Sequence, residues 1–141
     1  MINSQELVSK IKSQHLILQE DLAFLLEDSK LKVNGEKIIS QLIKFKNDLL
    51  NHLELENKQF YADYLDKKMK RNEDIESTEE FIKQMNDISK IVINFLNKYN
   101  SPEIIEQAFS DFRKELLEVS GVLNARIETE EEGIFDLYLM L

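Results

Sequence analysis

The sequence contains no cysteine and no tryptophan, and it has only three glycines, one proline and two histidines among 141 residues. Without cysteine the chain cannot form disulfides, thiolate zinc sites or iron–sulfur clusters, so a metal site must use histidine and carboxylate ligands. The turn-forming residues are too few for a sheet of many strands, and they indicate long helices with few connections. The composition therefore predicts an all-α protein in which histidine is the scarce ligand.

Acidic residues outnumber basic ones, 27 against 18, and the net charge is −9. This excess argues against nucleic acid and against an anionic membrane as general partners. No apolar run approaches the roughly 20 residues that a transmembrane helix needs, and the first residues lack the basic region of a signal peptide. With 43% apolar residues, the whole chain, residues 1–141, is expected to form a single cytoplasmic domain.

Apolar residues recur every three or four positions in four segments, which is the spacing of one face of a helix. Because the three connections between them are short, we predict an antiparallel up-down-up-down four-helix bundle. The predicted faces are Leu7, Ile11, His15, Leu18, Leu22 and Leu25 in the first segment; Leu42, Phe45, Leu49, His52, Glu56, Phe60 and Tyr64 in the second; Phe81, Met85, Ile88, Val92, Phe95 and Tyr99 in the third; and Ile105, Phe109, Phe112, Leu116, Val119, Leu123, Ile127, Ile134 and Leu137 in the fourth.

Capping and turn residues predict where these helices begin. Ser4 is expected to cap the first helix, and Asn34-Gly35 is expected to form a turn with the glycine at positive φ. Ser77-Thr78-Glu79-Glu80 matches a capping box for the third helix, and Ser101-Pro102 predicts the start of the fourth. Gly121 marks a candidate bend inside that last helix.

Titratable side chains interrupt three of the four apolar faces. His15 lies on the first face, and His52 and Glu56 lie on the second, four residues apart and one turn above each other. On the fourth segment at least one carboxylate of the run Glu130-Glu131-Glu132 is expected to turn inward, one turn after Arg126. A buried carboxylate is costly unless it is paired or bound to a metal, so this pattern favours a metal site or the remnant of one.

These residues resemble the hemerythrin-like family, also called the HHE cation-binding domain, over essentially the whole chain. The segments that carry the resemblance are Gln14–Leu18, Leu49–Tyr61 with its His52-x-x-x-Glu56 motif, and Arg126–Phe135. The resemblance implies a four-helix bundle that holds a non-heme di-iron centre. It implies His15, His52, Glu56 and Glu131 as metal ligands, with Glu130 as the alternative to Glu131.

The chain departs from the family pattern at the ligands of the second iron. The third helix has no histidine near the expected positions, and Arg126 stands where the fourth helix should have one. Arginine stays protonated and cannot ligate iron. Two outcomes follow: one Fe(II), Mn(II) or Zn(II) ion bound by two histidines and two carboxylates, or no metal, with Arg126 paired to Glu56 or Glu131.

Glu130 lies further from the start of its helix than His15 and His52 lie from their shared turn. It lies about 29 residues after Ser101, or about 44 Å of straight helix, whereas His15 and His52 lie about 20–25 Å from their shared turn. A common layer requires unequal overhangs, a bend at Gly121 or an extended connection near Ser101.

The expected function is a metal-binding module with a single iron that acts in metal or oxygen/redox sensing, without reversible oxygen carriage. The alternative is a metal-free regulatory bundle that binds a protein partner, in which Arg126 replaces the lost metal. An enzyme is not expected, because the sequence has no phosphate-binding loop, nucleophilic triad or cofactor fingerprint. The apolar C-terminal stretch 135–141 either completes the core or forms a contact in a homodimer, and the core is favoured.

Overall fold

The computed structural model describes residues 2–30 and 34–141, and within these ranges every regular element is a helix. This confirms the all-α prediction. Two of the elements are π-helical turns, which continue directly from the α-helix before them. In chain order the elements are α1 (Ser4–Asp28), α2 (Gly35–Leu55), the first π-helical turn (Glu56–Tyr61), α3 (Ala62–Lys70), α4 (Glu76–Lys98), α5 (Pro102–Gln107), α6 (Phe109–Thr129), the second π-helical turn (Glu130–Ile134) and α7 (Phe135–Leu139).

The helix starts agree with the sequence prediction only in part. Ser101 caps α5 as predicted, since its side chain accepts a hydrogen bond from the Ile104 N–H. The predicted cap at Ser4 is wrong, because the preceding Asn3 accepts from the Glu6 N–H instead. The predicted capping box of Ser77 and Glu80 is also wrong: α4 begins at Glu76, so Ser77 lies inside its first turn, and the Glu76 N–H donates to Asp74 Oδ1.

Gly35 is the first residue of α2 and does not adopt a positive φ, which corrects the predicted turn geometry. The rest of that turn, residues 31–33, lies outside the described residues. Glycine is needed here for a different reason, which is the close approach of α5. A Cβ at position 35 would lie 2.7 Å from the Pro102 carbonyl oxygen and 2.8 Å from Glu106 Oε1, and the Gly35 N–H donates to that same Glu106 oxygen at 3.2 Å.

Alanine substitutions at Gly35 and Gly121 are expected to have opposite effects on stability. Gly35→Ala should lower the free energy of unfolding by about 1–3 kcal/mol, because the added methyl overlaps backbone atoms of α5. Gly121→Ala should raise it by about 0.5–1 kcal/mol, because Gly121 lies inside α6 and nothing lies within 4 Å of a Cβ built there. Urea denaturation of both variants measures the difference. A stabilising Gly35→Ala would contradict the close contact between α2 and α5.

The apolar core is divided into two clusters with a polar layer between them. One cluster contains Leu18 and Leu49, and the other contains Ile11 and Leu55. His15 follows Ile11 on α1, and His52 lies between Leu49 and Leu55 on α2. The buried polar side chains therefore occupy the level at which the apolar packing is interrupted.

The fourth segment is broken near its start, and this break brings Glu130 level with Glu56. Ala108, at φ −121° and ψ 39°, separates α5 from α6. From this break, α6 has 21 residues and is followed directly by Glu130, just as α2 has 21 residues and is followed directly by Glu56. Each glutamate thus lies about 32 Å along its helix at the standard rise. The break lies seven residues after Ser101, where the sequence suggested an extended connection, and it is a single residue between two helices.

None of the described helices combines the length and the apolar character needed to cross a bilayer.

Candidate metal centre

Four buried side chains from three continuous helical stretches meet in the polar layer. His15 comes from α1, His52 from the last turn of α2, Glu56 from the start of the first π-helical turn and Glu130 from the start of the second. Each of these residues is at most 2% exposed. One ligand atom from each lies within 4.8 Å of the other three, an arrangement that could hold a metal ion.

The distances between these atoms are those expected around a single ion. His15 Nε2 lies 3.2 Å from Glu130 Oε1 and 3.6 Å from Glu56 Oε2, and His52 Nε2 lies 3.1 Å from Glu56 Oε2. Two atoms bound to one metal at about 2.1 Å are separated by about 3.0–3.4 Å in octahedral or tetrahedral geometry. The three separations are therefore close to those of a mononuclear site.

Three of the four polar atoms that face the centre lack a hydrogen-bond partner among the described residues. His15 Nε2, Glu56 Oε2 and Glu130 Oε1 are all buried, and none forms a hydrogen bond within the described part of the chain. Leaving a buried polar atom unpaired costs about 1–3 kcal/mol, and more for a charged group. Three such atoms facing one point indicate that the arrangement fits a bound cation.

The outer nitrogens of both imidazoles are hydrogen-bonded, which orients the inner nitrogens. His15 Nδ1 lies 2.6 Å from Glu131 Oε2, and His52 Nδ1 lies 2.8 Å from Gln14 Oε1. A neutral imidazole that donates from Nδ1 keeps the lone pair of Nε2 free for a metal. Metal-binding histidines are commonly held by such an outer acceptor.

Glu131 was predicted as a ligand with Glu130 as the alternative, and Glu130 is the one whose carboxylate lies in the buried cluster. The α-helix stays regular through this point, since the Glu130 N–H donates to the Arg126 carbonyl. A spacing of four residues then directs Glu130 inward, while the Glu131 side chain turns to the periphery and is 33% exposed. Glu131 contacts His15 from the outside, and the register alternative Glu130 faces the centre.

Both carboxylates of the centre begin a π-helical turn. Glu56 follows His52 by four residues and donates its N–H to the His52 carbonyl, and Glu130 stands in the same relation to Arg126. Single π-helical turns within α-helices often occur at functional sites. The repeated local geometry shows that Arg126 occupies on α6 the place that His52 occupies on α2.

Arg126 is buried beside the centre and holds its carboxylates from the other side. Its Nη2 donates to Glu56 Oε1, and its Nε lies 3.6 Å from Glu130 Oε2. Nη1 donates to the Met85 carbonyl at 3.0 Å and to Ser89 Oγ, both on α4. This is the pairing with Glu56 that the sequence predicted for Arg126; the predicted alternative partner, Glu131, lies elsewhere.

A family model for the hemerythrin HHE cation-binding domain matches residues 6–138. The chain belongs to this family. No curated protein and no solved structure gives a significant match. As a hemerythrin-like domain it is a cation-binding module, and His15, His52, Glu56 and Glu130 are the residues that could hold the ion.

Burial and neighbouring charges shift the titration of this hemerythrin-like site. Burial opposes protonation of His15, but the carboxylates of Glu130 and Glu56 outweigh it and raise the His15 pKa to about 9. Burial and the charge of Glu56 raise the pKa of Glu130 to about 7. Burial also disfavours the charged form of Glu56, yet the neighbouring His15 and His52 side chains and the charge of Arg126 hold its pKa well below the ordinary value. One proton is thus easily held between His15 and Glu130.

Sequence reasoning missed two residues that contact the site. Ser89 accepts from Arg126, and the Tyr61 hydroxyl donates to Glu130 Oε2 at 2.5 Å. Both lie on apolar stretches, where a serine or a tyrosine gives no signal of its own. One indirect signal for Ser89 was present in the sequence. The third predicted helix, which is α4, has no histidine facing the centre, so another polar side chain was needed there.

Proposed function

We propose that this single-domain hemerythrin-like chain binds one non-heme iron ion through His15, His52, Glu56 and Glu130, and that it acts in metal or oxygen/redox sensing. The observation that carries the proposal is the convergence of unpartnered buried atoms. Three of the four inward-facing ligand atoms have no hydrogen bond within the described residues, and both imidazoles are held from outside in the orientation that a ligand needs.

The donor set is suited to a borderline divalent ion. Two imidazole nitrogens and two carboxylate oxygens bind Fe(II), Mn(II) and Zn(II), and the resemblance to di-iron proteins favours iron among them. A bound iron ion would supply one-electron redox chemistry. The chain holds the four ligand atoms in place, keeps bulk water out through the two apolar clusters, and fixes the histidine tautomers through Gln14 and Glu131.

The placement of the ligands supports sensing rather than catalysis. The four side chains are at most 2% exposed, so a bulky substrate has no direct route to them. They come from helices far apart in sequence, in the antiparallel up-down-up-down bundle that we propose for the four helical stretches. Metal occupancy then ties these stretches together, and gaining or losing the ion changes the stability of the whole bundle, which is a signal that a partner can read.

The test is metal analysis of protein purified without chelator, followed by anaerobic titration with Fe(II). We expect one equivalent of metal and a rise in the unfolding temperature. An ion present at a hundred times its dissociation constant stabilises the fold by about 2.7 kcal/mol. The His52→Ala variant should retain no metal, whereas Glu54→Gln, on an exposed side chain of the same helix, should behave as the wild type. No metal binding by folded wild type would overturn the proposal.

Metal affinity is expected to rise with pH. Below about pH 7 both Glu130 and His15 hold protons that a metal must displace, and between pH 7 and 9 His15 alone does, given its pKa of about 9. Releasing one proton per ion increases the apparent affinity about tenfold per pH unit, and releasing two increases it more steeply. Titration with Mn(II), with free ion followed by electron paramagnetic resonance, measures the slope. An affinity unchanged from pH 6 to 9 would contradict this proton competition.

A second candidate function is a metal-free module that binds a regulatory protein partner. It is supported by the charge balance of the site without metal, because Arg126 pairs with Glu56 and a protonated His15 would lie between Glu130 and Glu131. An unfolding temperature unaffected by chelator or added Fe(II), together with copurification of one basic protein, would favour this function over the first.

A further inference from the structure

In each of the two glutamates, one carboxylate oxygen faces the imidazoles and the other faces the Arg126 guanidinium. Glu56 directs Oε2 toward the two imidazoles and Oε1 at the Arg126 guanidinium. Glu130 directs Oε1 toward His15, and its Oε2 lies 3.6 Å from Arg126 Nε. Carboxylates with this arrangement bridge two cations. One position is the proposed metal site, and the other is filled by arginine.

The second position is enclosed by protein groups that fit a guanidinium. Nη1 of Arg126 meets the Met85 carbonyl and Ser89 Oγ on α4, opposite the two glutamates. Arg126 is 2% exposed, so water does not compete for these contacts. Met85 and Ser89 lie where α4 faces the centre, and neither side chain is a good ligand for a divalent ion.

We propose that Arg126, held by Ser89 and the Met85 carbonyl, is a resident cation that takes the place of a second metal ion and fixes the metal stoichiometry of this site at one. The inference rests on the proposed function for the first ion, and it identifies a residue that determines how many ions the site accepts. Because a guanidinium does not lose its proton at physiological pH, Arg126 cannot become a ligand. A second divalent ion would lie within a few ångströms of its charge.

The test converts the second position into a copy of the first. In an Arg126→His/Ser89→His variant, two histidines on α6 and α4 would face Glu56 and Glu130, which reproduces the donor set of two imidazoles and two carboxylates. We expect two Fe(II) or Mn(II) ions per folded chain in this variant by elemental analysis and equilibrium dialysis. The wild type is expected to bind one. The single variant Ser89→His, which keeps the arginine, is also expected to bind one.

Arg126→Lys is the second control, since it keeps a positive charge without the guanidinium and should also bind one ion. Two ions in wild type or in Arg126→Lys would overturn the inference, as would a folded double variant that binds no more metal than Ser89→His. The proposed function fails separately, if the wild type binds none. In that case a double variant that binds one ion more than Ser89→His would still show that Arg126 keeps an ion out of the second position.

Discussion

Replacing Arg126 by methionine is expected to destabilise the metal-free protein by about 3–5 kcal/mol, the usual cost of removing one partner of a buried ion pair. Methionine keeps much of the length and the apolar stem of arginine, so the loss reports mainly the charge. Glu56 then remains buried with Oε1 unpaired as well as Oε2, and the Ser89 and Met85 groups that Arg126 contacts lose their donor. Denaturant unfolding in the presence of chelator measures the change.

The matched control is Arg113→Met, on an exposed side of the same helix. It should change the free energy of unfolding by no more than about 0.5 kcal/mol. A saturating divalent ion should recover part of the stability that Arg126→Met loses, because the ion neutralises the same two carboxylates. A loss below about 1 kcal/mol in Arg126→Met would show that Glu56 is neutral or otherwise paired, and would contradict the charge arrangement described above.

Glutamine substitutions at three neighbouring glutamates are expected to distinguish the residue that binds the metal from the residue that only orients His15. Glu130→Gln should lower metal affinity more than Glu131→Gln does, because it removes the negative charge of an inward-facing ligand group. Glu131→Gln should lower affinity by about 10–100-fold, the usual effect of altering a group that orients a metal-binding histidine. Glu128→Gln, on the exposed face of α6, should leave affinity unchanged.

Competition against a chelator of known affinity, with Mn(II) or Fe(II), measures all three variants under the same conditions. Because glutamine and glutamate have nearly the same shape, the comparison changes charge with little change in packing. A larger loss in Glu131→Gln than in Glu130→Gln would place Glu131 in the centre and restore the ligand set predicted from the sequence.

Helical spacing was enough to predict the part of the site that depends on single helices. His15 on one apolar face, and His52 with Glu56 on another, are polar residues at positions that must be buried, and the structure buries all three. The family match over residues 6–138 agrees with the same motifs. The pairing of Arg126 with Glu56 was also among the sequence predictions, because a buried carboxylate needs a cation beside it.

The rest depends on geometry that local sequence does not determine. Glu130 and Glu131 differ by one position, and the choice between them follows from how far α6 stays regular before the π-helical turn. The break at Ala108 sets the level of Glu130, and nothing in that alanine predicts it. Gly35 was expected to serve a turn, but its role is set by α5, which lies more than sixty residues later in the chain.

The most direct measurement is an X-ray structure of crystals grown anaerobically with Fe(II), with anomalous data collected on both sides of the iron absorption edge. One iron per chain is predicted, about 2.0–2.3 Å from His15 Nε2, His52 Nε2, Glu56 Oε2 and Glu130 Oε1, with the Arg126 guanidinium on the far side of the two carboxylates. A structure with no anomalous peak between these four atoms, or with two iron ions bridged by Glu56 and Glu130, would contradict a single-metal site completed by arginine.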